Sequence, residues 1–214
     1  MKKFFLSAVL AIAALAASAQ QPVGGISLTP HVGMGYAIAS EKFANDFNGF
    51  VTACAGVEAT YKPTKMFGIS AGLDYGYGST FTETQKFNYE NTSKKYDHYM
   101  DHYFINLPVM AQLHFGQVAL KAGIQPGWVI DPKHHVDWKD GNYSANMNYN
   151  GQDDINTFQL SVPVGISYSP KFPLQFDLRY NIPVTGYMKN TEGGNFNLGT
   201  IMLTVGYRFD LGRK

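Results

Sequence analysis

Hydrophobic and polar residues alternate with period two in eight separate stretches of the chain. In the last stretch, 199–211, the odd-numbered positions from Ile201 to Leu211 are large and apolar, whereas the even-numbered positions are mostly small or charged. This alternation is typical of a β-strand with one apolar face. The same pattern predicts seven earlier strands, at 27–38, 50–61, 67–77, 103–115, 118–130, 158–168 and 174–182. The chain is therefore predicted to be all-β.

The segments that connect these strands alternate between long and short. Three are short and cover 62–66, 116–117 and 169–173. The other four are long, and they cover 39–49, 78–102, 131–156 and 183–196. Short turns at one end and long loops at the other are typical of outer-membrane barrels. Each strand also has about the 9–11 residues that cross a bilayer at a tilt. We therefore predict an eight-stranded antiparallel up-and-down transmembrane β-barrel.

Side-chain volume indicates which face of the sheet points outward. An eight-stranded barrel has an interior only just wide enough for side chains. One face carries Leu, Ile, Val, Tyr, Phe and Trp, whereas the other is rich in Gly, Ser, Thr and Ala. The bulky face should therefore contact lipid, in contrast to a soluble lipocalin-like barrel with an apolar interior. Its aromatic residues near strand ends predict two interfacial girdles. These residues are Tyr61, Phe67, Tyr75, Tyr77, Phe115, Trp128, Tyr168, Tyr180, Tyr207 and Phe209.

The N-terminus has the pattern of a targeting segment. Two lysines follow the initial Met and precede an apolar run over 4–17, which ends at the small-residue motif Ala17-Ser18-Ala19. We expect a signal peptide over 1–19, cleaved after Ala19, and a single barrel domain over 20–214.

Composition narrows the remaining classes of function. Cys54 is the only cysteine, which excludes an intramolecular disulfide and predicts a buried, inert thiol. The net charge of +1, with 15% charged residues, gives no electrostatic basis for binding nucleic acid. No serine lies in an identifiable hydrolase motif. We predict no enzymatic activity and no cofactor.

The predicted inward face carries charges of both signs. Four acids and three bases lie on it: Glu58, Asp74, Asp177, Asp210, Lys121, Arg179 and Arg208. Buried charges must be paired and hydrogen-bonded. We therefore predict an internal salt-bridge network that plugs the barrel. His31 and His114 share this face and are interpreted as hydrogen-bonded core histidines.

Two long loops carry a second set of polar side chains that could converge on a transition metal. The set consists of Asp97, His98, Asp101, His102, Asp131, His134, His135 and Asp137. No spacing fixes their geometry, so polar loop residues without a ligand are the favoured interpretation.

Four short motifs resemble a known family. They are YFINLPV at 103–109, LKAG at 120–123, FDLRY at 176–180 and VGYRF at 205–209. In this order and spacing the chain resembles the PorT-like outer-membrane β-barrel family of Bacteroidetes. The resemblance implies an outer-membrane location and an eight-stranded barrel, but no shared biochemical activity.

The predicted function is that of a structural or interaction protein that binds at the cell surface through its extracellular loops. The alternative is a narrow transport barrel or a small-ligand-binding barrel. The expected partners are outer-membrane lipid, the barrel assembly machinery during biogenesis and an unidentified extracellular or envelope partner. Nucleic acid is not among them.

Overall fold

The computed structural model describes residues 23–39, 49–80, 85–89, 92–140, 143–153, 155–189 and 197–211. These residues form twelve β-strands: β1 Ile26–Ala39, β2 Phe50–Tyr61, β3 Phe67–Thr80, β4 Gln85–Tyr89, β5 Thr92–Asn106, β6 Val109–Phe115, β7 Val118–Asp140, β8 Tyr143–Asn150, β9 Phe158–Tyr168, β10 Leu174–Pro183, β11 Leu198–Tyr207 and β12 Phe209–Leu211. Within them, no helix has the length and apolar character needed to cross a bilayer. The expected signal peptide, 1–19, lies outside the described residues.

The sheet closes on itself because β1 pairs with the second strand of the chain on one edge and with the last strands on the other. Val32 of β1 lies opposite Ala55 of β2 and also opposite Val205 of β11. Around the barrel the order is β1, β2, β3, the collinear pair β5 and β6, β7, β9, β10 and β11, and all these pairings are antiparallel. The predicted eight-stranded antiparallel barrel is confirmed. Closure leaves no unpaired edge around the barrel.

Two predicted strands are each interrupted once without losing register. The strand predicted at 103–115 breaks at Leu107-Pro108, where Pro108 has no N–H to donate. Its carbonyl still accepts a 2.8 Å hydrogen bond from the N–H of Gly72, so the pairing with β3 continues. The strand predicted at 199–211 breaks at Arg208, whose N–H donates to the carbonyl of Pro173 instead.

The three short turns lie where they were predicted, at 62–66, 116–117 and 169–173. Gly116 has a φ of +65°, which a residue with a Cβ rarely adopts, and this conformation allows the two-residue turn. We call the end of the barrel with these turns the proximal end. The opposite end, from which the long connections leave, is the distal end.

The long connections predicted at 78–102 and 131–156 are not irregular loops, and this part of the prediction was wrong. β5 and β7 continue past the barrel and stay paired as far as Lys94 and Asp140. β4 and β8 pair with these extensions to give the order β4-β5-β7-β8. We call these four paired segments, 85–89, 92–101, 133–140 and 143–150, the distal sheet.

A β-bulge separates the distal sheet from the barrel. The register between β5 and β7 shifts by one residue between Asp101 and Tyr103, and Asp131 on β7 has a φ of +48°. An extra residue in one strand turns later side chains of that strand to the other face. Accordingly Ile130 is exposed on the outside, whereas His134 and Val136 are buried on the inside.

The two faces of the barrel wall are those predicted from side-chain volume. Large apolar side chains cover the outside: Val32, Met34, Ile69 and Ile124 are each 57–67% exposed to the surroundings. The inside carries buried polar residues such as Thr29, Ser70 and Thr204. An apolar exterior around a polar interior is the arrangement that lipid requires and that water disfavours.

Aromatic side chains lie at both rims of this apolar surface, as predicted. Tyr77, Tyr103 and Tyr75 contact one another near the distal rim, and Trp128 contacts Phe158 there. At the proximal rim Tyr207 contacts Phe209, and Tyr168 stacks with Phe176. The two rims enclose the aliphatic part of the wall, which is the segment that would span the hydrocarbon region.

Candidate functional site

The lumen holds two adjacent clusters of ionised side chains. In the first, the lysine cluster, the ammonium of Lys121 lies 2.8 and 2.7 Å from the two carboxylate oxygens of Glu58 and 2.8 Å from Oδ1 of Asp177. Gln175 donates from Nε2 to Asp177 at 2.7 Å and to Glu58 at 3.3 Å. Two carboxylates around one ammonium give this cluster a net charge of −1.

In the second, the arginine cluster, the guanidinium of Arg179 and the imidazole of His31 share one carboxylate. Nη2 of Arg179 lies 2.5 Å from Oδ2 of Asp74, and Nε2 of His31 lies 2.8 Å from Oδ1. The other ring nitrogen of His31 faces the carbonyl oxygen of Thr29 at 3.2 Å. Both ring nitrogens therefore face acceptors, and an imidazolium is the form of histidine that donates from both. With that form the arginine cluster has a net charge of +1.

The local sequence makes room for these contacts at two glycines. Gly56 lies on β2 opposite both Asp74 and His31, and a Cβ there would lie 2.9 Å from Nε2 of His31. Gly165 on β9 lies opposite both Lys121 and Arg179, and a Cβ there would lie 2.9 Å from Cβ of Arg179. Real Cβ atoms essentially never make contacts shorter than 3.0 Å, so larger residues would displace the charged side chains.

The structure does not bring Arg208 and Asp210 into either cluster. They lie at the proximal mouth, where Nε of Arg208 is 3.2 Å from Oδ1 of Asp210, and the side chain of Asp210 is 40% exposed. Nη1 of Arg208 is buried, and among the described residues it has no hydrogen-bond partner. The seven charged residues predicted for the lumen thus divide into the lysine cluster, the arginine cluster and this pair at the mouth.

Lys62 is a buried cation that the sequence reasoning missed. It was assigned to a turn, yet it is 1% exposed and continues the inward face of β2 after Glu58 and Thr60. Burial and the neighbouring guanidinium of Arg208 lower the pKa of Lys62 below its ordinary value. The sequence could have identified it, because Lys62 follows Glu58 and Thr60 at intervals of two residues. The alternation of β2 therefore places Lys62 on the inward face, although it lies one residue beyond the end of the strand.

The residues considered for metal binding lie on opposite faces of the β-sheet. His102 and His134 are buried on the inner face, whereas Asp101 and His135 contact each other on the outer face at 3.1 Å. Alternation along a strand separates these pairs. Among the residues that the structure describes, no three metal-ligating side chains converge. The side chains of Asp97 and His98 lie outside the described part.

The outer face of the distal sheet carries a connected polar network of its own. The hydroxyl of Tyr77 donates to Asp101 at 3.0 Å, and Asp101 contacts Nε2 of His135. Nδ1 of His135 lies 2.7 Å from Oδ1 of Asn148, and its ring stacks on Tyr99 with centroids 4.5 Å apart. These contacts tie β3, β5, β7 and β8 together on the surface.

An apolar cap covers the lumen at the distal end. Phe50, Met100, Ile155 and Tyr187 are each at most 5% exposed and pack together with Ala37 and Val129. Ile155 and Tyr187 of this cap lie on two connecting segments. A 2.9 Å hydrogen bond from the N–H of Asn156 to the carbonyl of Tyr187 joins these segments. Burial raises the pKa of Tyr187 well above its usual range, so its phenol stays neutral.

Cys54 and His114 lie on the inward face, as predicted. Cys54 is buried and free. His114 is partly buried, and its Nε2 has no hydrogen-bond partner among the described residues, so the interpretation of His114 as a hydrogen-bonded histidine is not confirmed at this nitrogen.

Comparison with known proteins gives a family model and several similar structures. The model described as "Outer membrane protein beta-barrel domain" matches residues 5–209. The chain is similar to the attachment invasion locus protein Ail of Yersinia pestis, with 14% identity over 87% of this chain and 100% of that chain, at a TM-score of 0.43. It is also similar to Neisserial surface protein A, with 13% identity over 87% of this chain and 97% of that chain, at a TM-score of 0.40.

A third similar structure is the N-terminal β-barrel domain of OprF from Pseudomonas aeruginosa. It has 12% identity over 87% of this chain and 98% of that chain, at a TM-score of 0.37. No curated protein sequence matches the chain.

Replacing Lys121 by Met tests how much the barrel depends on the lysine cluster. Lys121→Met leaves Glu58 and Asp177 buried without their cation, and breaking a buried pair in this way costs about 3–5 kcal/mol. We expect that loss in the free energy of unfolding, measured by urea titration of the protein refolded into lipid vesicles. Glu58→Gln in the same chain should restore part of it, because it removes one of the unpaired carboxylates.

Lys133→Met is the matched control. Lys133 lies 2.8 Å from Asp131, a distance equal to that in the lysine cluster, but both side chains are about half exposed. Solvent screens an exposed pair, so its loss should change the free energy of unfolding little. Equal losses for the two variants would contradict a structural role for the buried cluster.

Proposed function

Since the chain belongs to the outer membrane protein β-barrel domain family, we propose that it is a non-conducting barrel of the outer membrane that acts as a structural or interaction protein through its distal surface. The family places the barrel in lipid, with its apolar wall outward. The proposal concerns the lumen and the distal sheet, and it assigns no chemical reaction to either.

The ion clusters in the lumen are the observation that carries the proposal. An eight-stranded barrel leaves little interior space beyond its own side chains. Here Lys121 extends from β7 to contact side chains of β2 and β10, and Arg179 extends from β10 to contact β3. These contacts join strands on different sides of the barrel and occupy the path of a solute. Transport would require both clusters to separate, at the cost of unpaired charges in a narrow lumen.

The distal sheet supports the second half of the proposal. Long connections of outer-membrane barrels lie on the extracellular side, and the distal sheet is built from two of them. Its strands are held in register by backbone hydrogen bonds and by the network around Asp101 and His135. An ordered sheet that projects beyond the membrane presents a fixed surface to a partner, in contrast to loops that must be ordered on binding.

The narrower membership in the PorT-like group of Bacteroidetes is part of this proposal. It is supported by the positions of two of the motifs in the lumen wall, where LKAG at 120–123 places Lys121 and FDLRY at 176–180 places Asp177 and Arg179. The barrel assembly machinery is proposed as the partner during biogenesis. The same family relation gives no support to an enzymatic role.

Single-channel recording in planar lipid bilayers tests the closed lumen. We expect the refolded full chain to give no resolved conductance steps, because Lys121 and Arg179 span the lumen. The double variant Lys121→Ala/Arg179→Ala removes both cations and should produce steps or raise the baseline current. Steps from the unmodified chain that change size in Asp177→Asn would contradict the proposal and favour narrow transport.

Cysteine labelling in intact cells tests the distal surface. Met147 on β8 is 60% exposed and Met66 in a proximal turn is 48% exposed, whereas the native Cys54 is buried. A membrane-impermeant maleimide photo-crosslinker should label Met147→Cys and yield a higher-mass adduct. Met66→Cys is the matched control and should remain unlabelled, because the proximal turns face the periplasm.

Replacing Tyr99 and His135 by Ala in the Met147→Cys chain should abolish the adduct while the labelling persists. Labelling of Met66→Cys but not Met147→Cys in intact cells would show the opposite orientation. Efficient labelling of Met147→Cys without any adduct would contradict an interaction role for the distal sheet.

A further inference from the structure

A cavity of about 120 Å³ lies in the distal half of the lumen, between the apolar cap and the two ion clusters. Phe50 and Tyr187 of the cap form its distal wall. Met202, which lies opposite Arg179 in the ladder, contributes to the wall nearest the arginine cluster. The cavity therefore lies between the apolar cap and the two ion clusters, and the cap forms its distal wall.

The lining of this cavity is polar but carries no formal charge. Four of its side chains are carboxamides, those of Asn106, Gln125, Gln159 and Asn181, and no Asp, Glu, Lys or Arg lines it. This differs sharply from the rest of the lumen, where ionised groups alternate with small residues. Carboxamides both donate and accept hydrogen bonds, so they suit groups that also do both.

Two of these carboxamides are buried, and their side-chain oxygens lack a hydrogen-bond partner among the described residues. Oε1 of Gln125 and Oδ1 of Asn181 have no hydrogen bond, although the residues are only 5% and 7% exposed. A buried acceptor left in that state costs about 1–3 kcal/mol. The two oxygens therefore need donors that the described part of the protein does not supply, and a molecule in the cavity would supply them.

Aromatic side chains provide the remaining recognition surface. The rings of Phe50, Phe104 and Tyr187 line the same cavity as the carboxamides. A ring face packs well against C–H groups, whereas carboxamides bind hydroxyls in the plane of a ligand. Together they match a molecule whose edges carry hydroxyl groups and whose faces are C–H.

We propose that this cavity binds a compact neutral polyol of about three carbon atoms, the size of glycerol. An apolar cavity of about 150 Å³ accepts benzene, so a space of about 120 Å³ limits the ligand to about six non-hydrogen atoms. Hydroxyls would donate to Gln125 and Asn181. An acidic or basic analogue is excluded by the cost of burying a charge against an uncharged lining.

The ligand would reach the cavity from the distal end, since the ion clusters lie on the proximal side. Tyr187 and Ile155 of the cap lie on connections between strands and not on the barrel wall, so they can move without breaking a barrel ladder. The hydroxyl of Tyr187 lies 3.2 Å from Nδ1 of His102, and this contact would have to open during binding. The inference goes beyond the proposed surface role and is independent of the partner of the distal sheet.

Methyl NMR of the full mature chain in lipid nanodiscs tests the proposal. The protein would be labelled with ¹³C at the methionine methyl groups, because Met202 lines the cavity, whereas Met110 is buried in the lumen outside it. The neutral probes are ethylene glycol, glycerol and 1,3-propanediol, and D-glycerate is the charged analogue of glycerol. We expect at least one neutral probe to shift the Met202 resonance saturably and to leave Met110 unchanged.

Two variants locate the binding. Asn181→Leu should weaken binding of the neutral probe about tenfold, the effect of losing one good hydrogen bond. Gln112→Leu is the matched control: it removes a buried carboxamide outside the cavity, and affinity should not change. Thr200→Val removes a hydroxyl from the lining at nearly constant volume. The Thr200→Val variant should also weaken binding. It is used in place of Asn181→Leu if the Asn181→Leu protein does not show the heat-dependent gel shift of a folded barrel.

Three results would overturn the proposal. The first is no saturable Met202 shift with any of the three neutral probes, which would mean that water alone fills the cavity. The second is equal affinity of the unmodified chain and a correctly folded lining variant. The third is binding of D-glycerate as tight as that of glycerol.

Discussion

Ionised side chains inside a barrel that is surrounded by lipid need partners of opposite charge, and this constraint organises the lumen. The lysine cluster has one cation between two carboxylates, and the arginine cluster has two cations around Asp74. Their net charges of −1 and +1 cancel. Asp177 and Arg179 stand two positions apart on one strand, so the clusters are neighbours and compensate each other.

The same constraint accounts for the distribution of small residues and for the uncharged distal compartment. Gly56 and Gly165 stand where a Cβ would displace His31 or Arg179, so inward glycines are part of the charge network. Distal to Arg179, the described residues that line the cavity include no Asp, Glu, Lys or Arg, and carboxamides and aromatic rings replace the charges. In the barrel, ion pairs thus fill the proximal half of the lumen, whereas the distal half contains the cavity.

The sequence predicts the barrel wall well because lipid and lumen impose opposite demands on alternate residues. Residues beyond the membrane surface are not in contact with lipid, so the alternation of apolar and polar side chains is not required there. Tyr99, Asp101 and Lys133 on the outer face of the distal sheet are polar or amphipathic, so the extensions of β5 and β7 have no continuous apolar face and are predicted as loops. β8 does alternate, but over only eight residues between polar segments. Which charged side chains pair across the lumen also depends on the three-dimensional positions of strands that are far apart in the sequence. The phase of Lys121 and Asp177 predicted that both point inward, but only the structure gives their 2.8 Å contact.

The alternation of lipid-facing and lumen-facing residues is the central claim, and a nitroxide scan along β11 tests it most directly. Spin labels would be placed one at a time at 201–205 in a Cys54→Ala chain that is reconstituted in lipid vesicles. Collision with oxygen, which concentrates in the bilayer, should be frequent at 201, 203 and 205 and rare at 202 and 204. An inverted pattern, or equal oxygen collision rates at all five positions, would contradict this account.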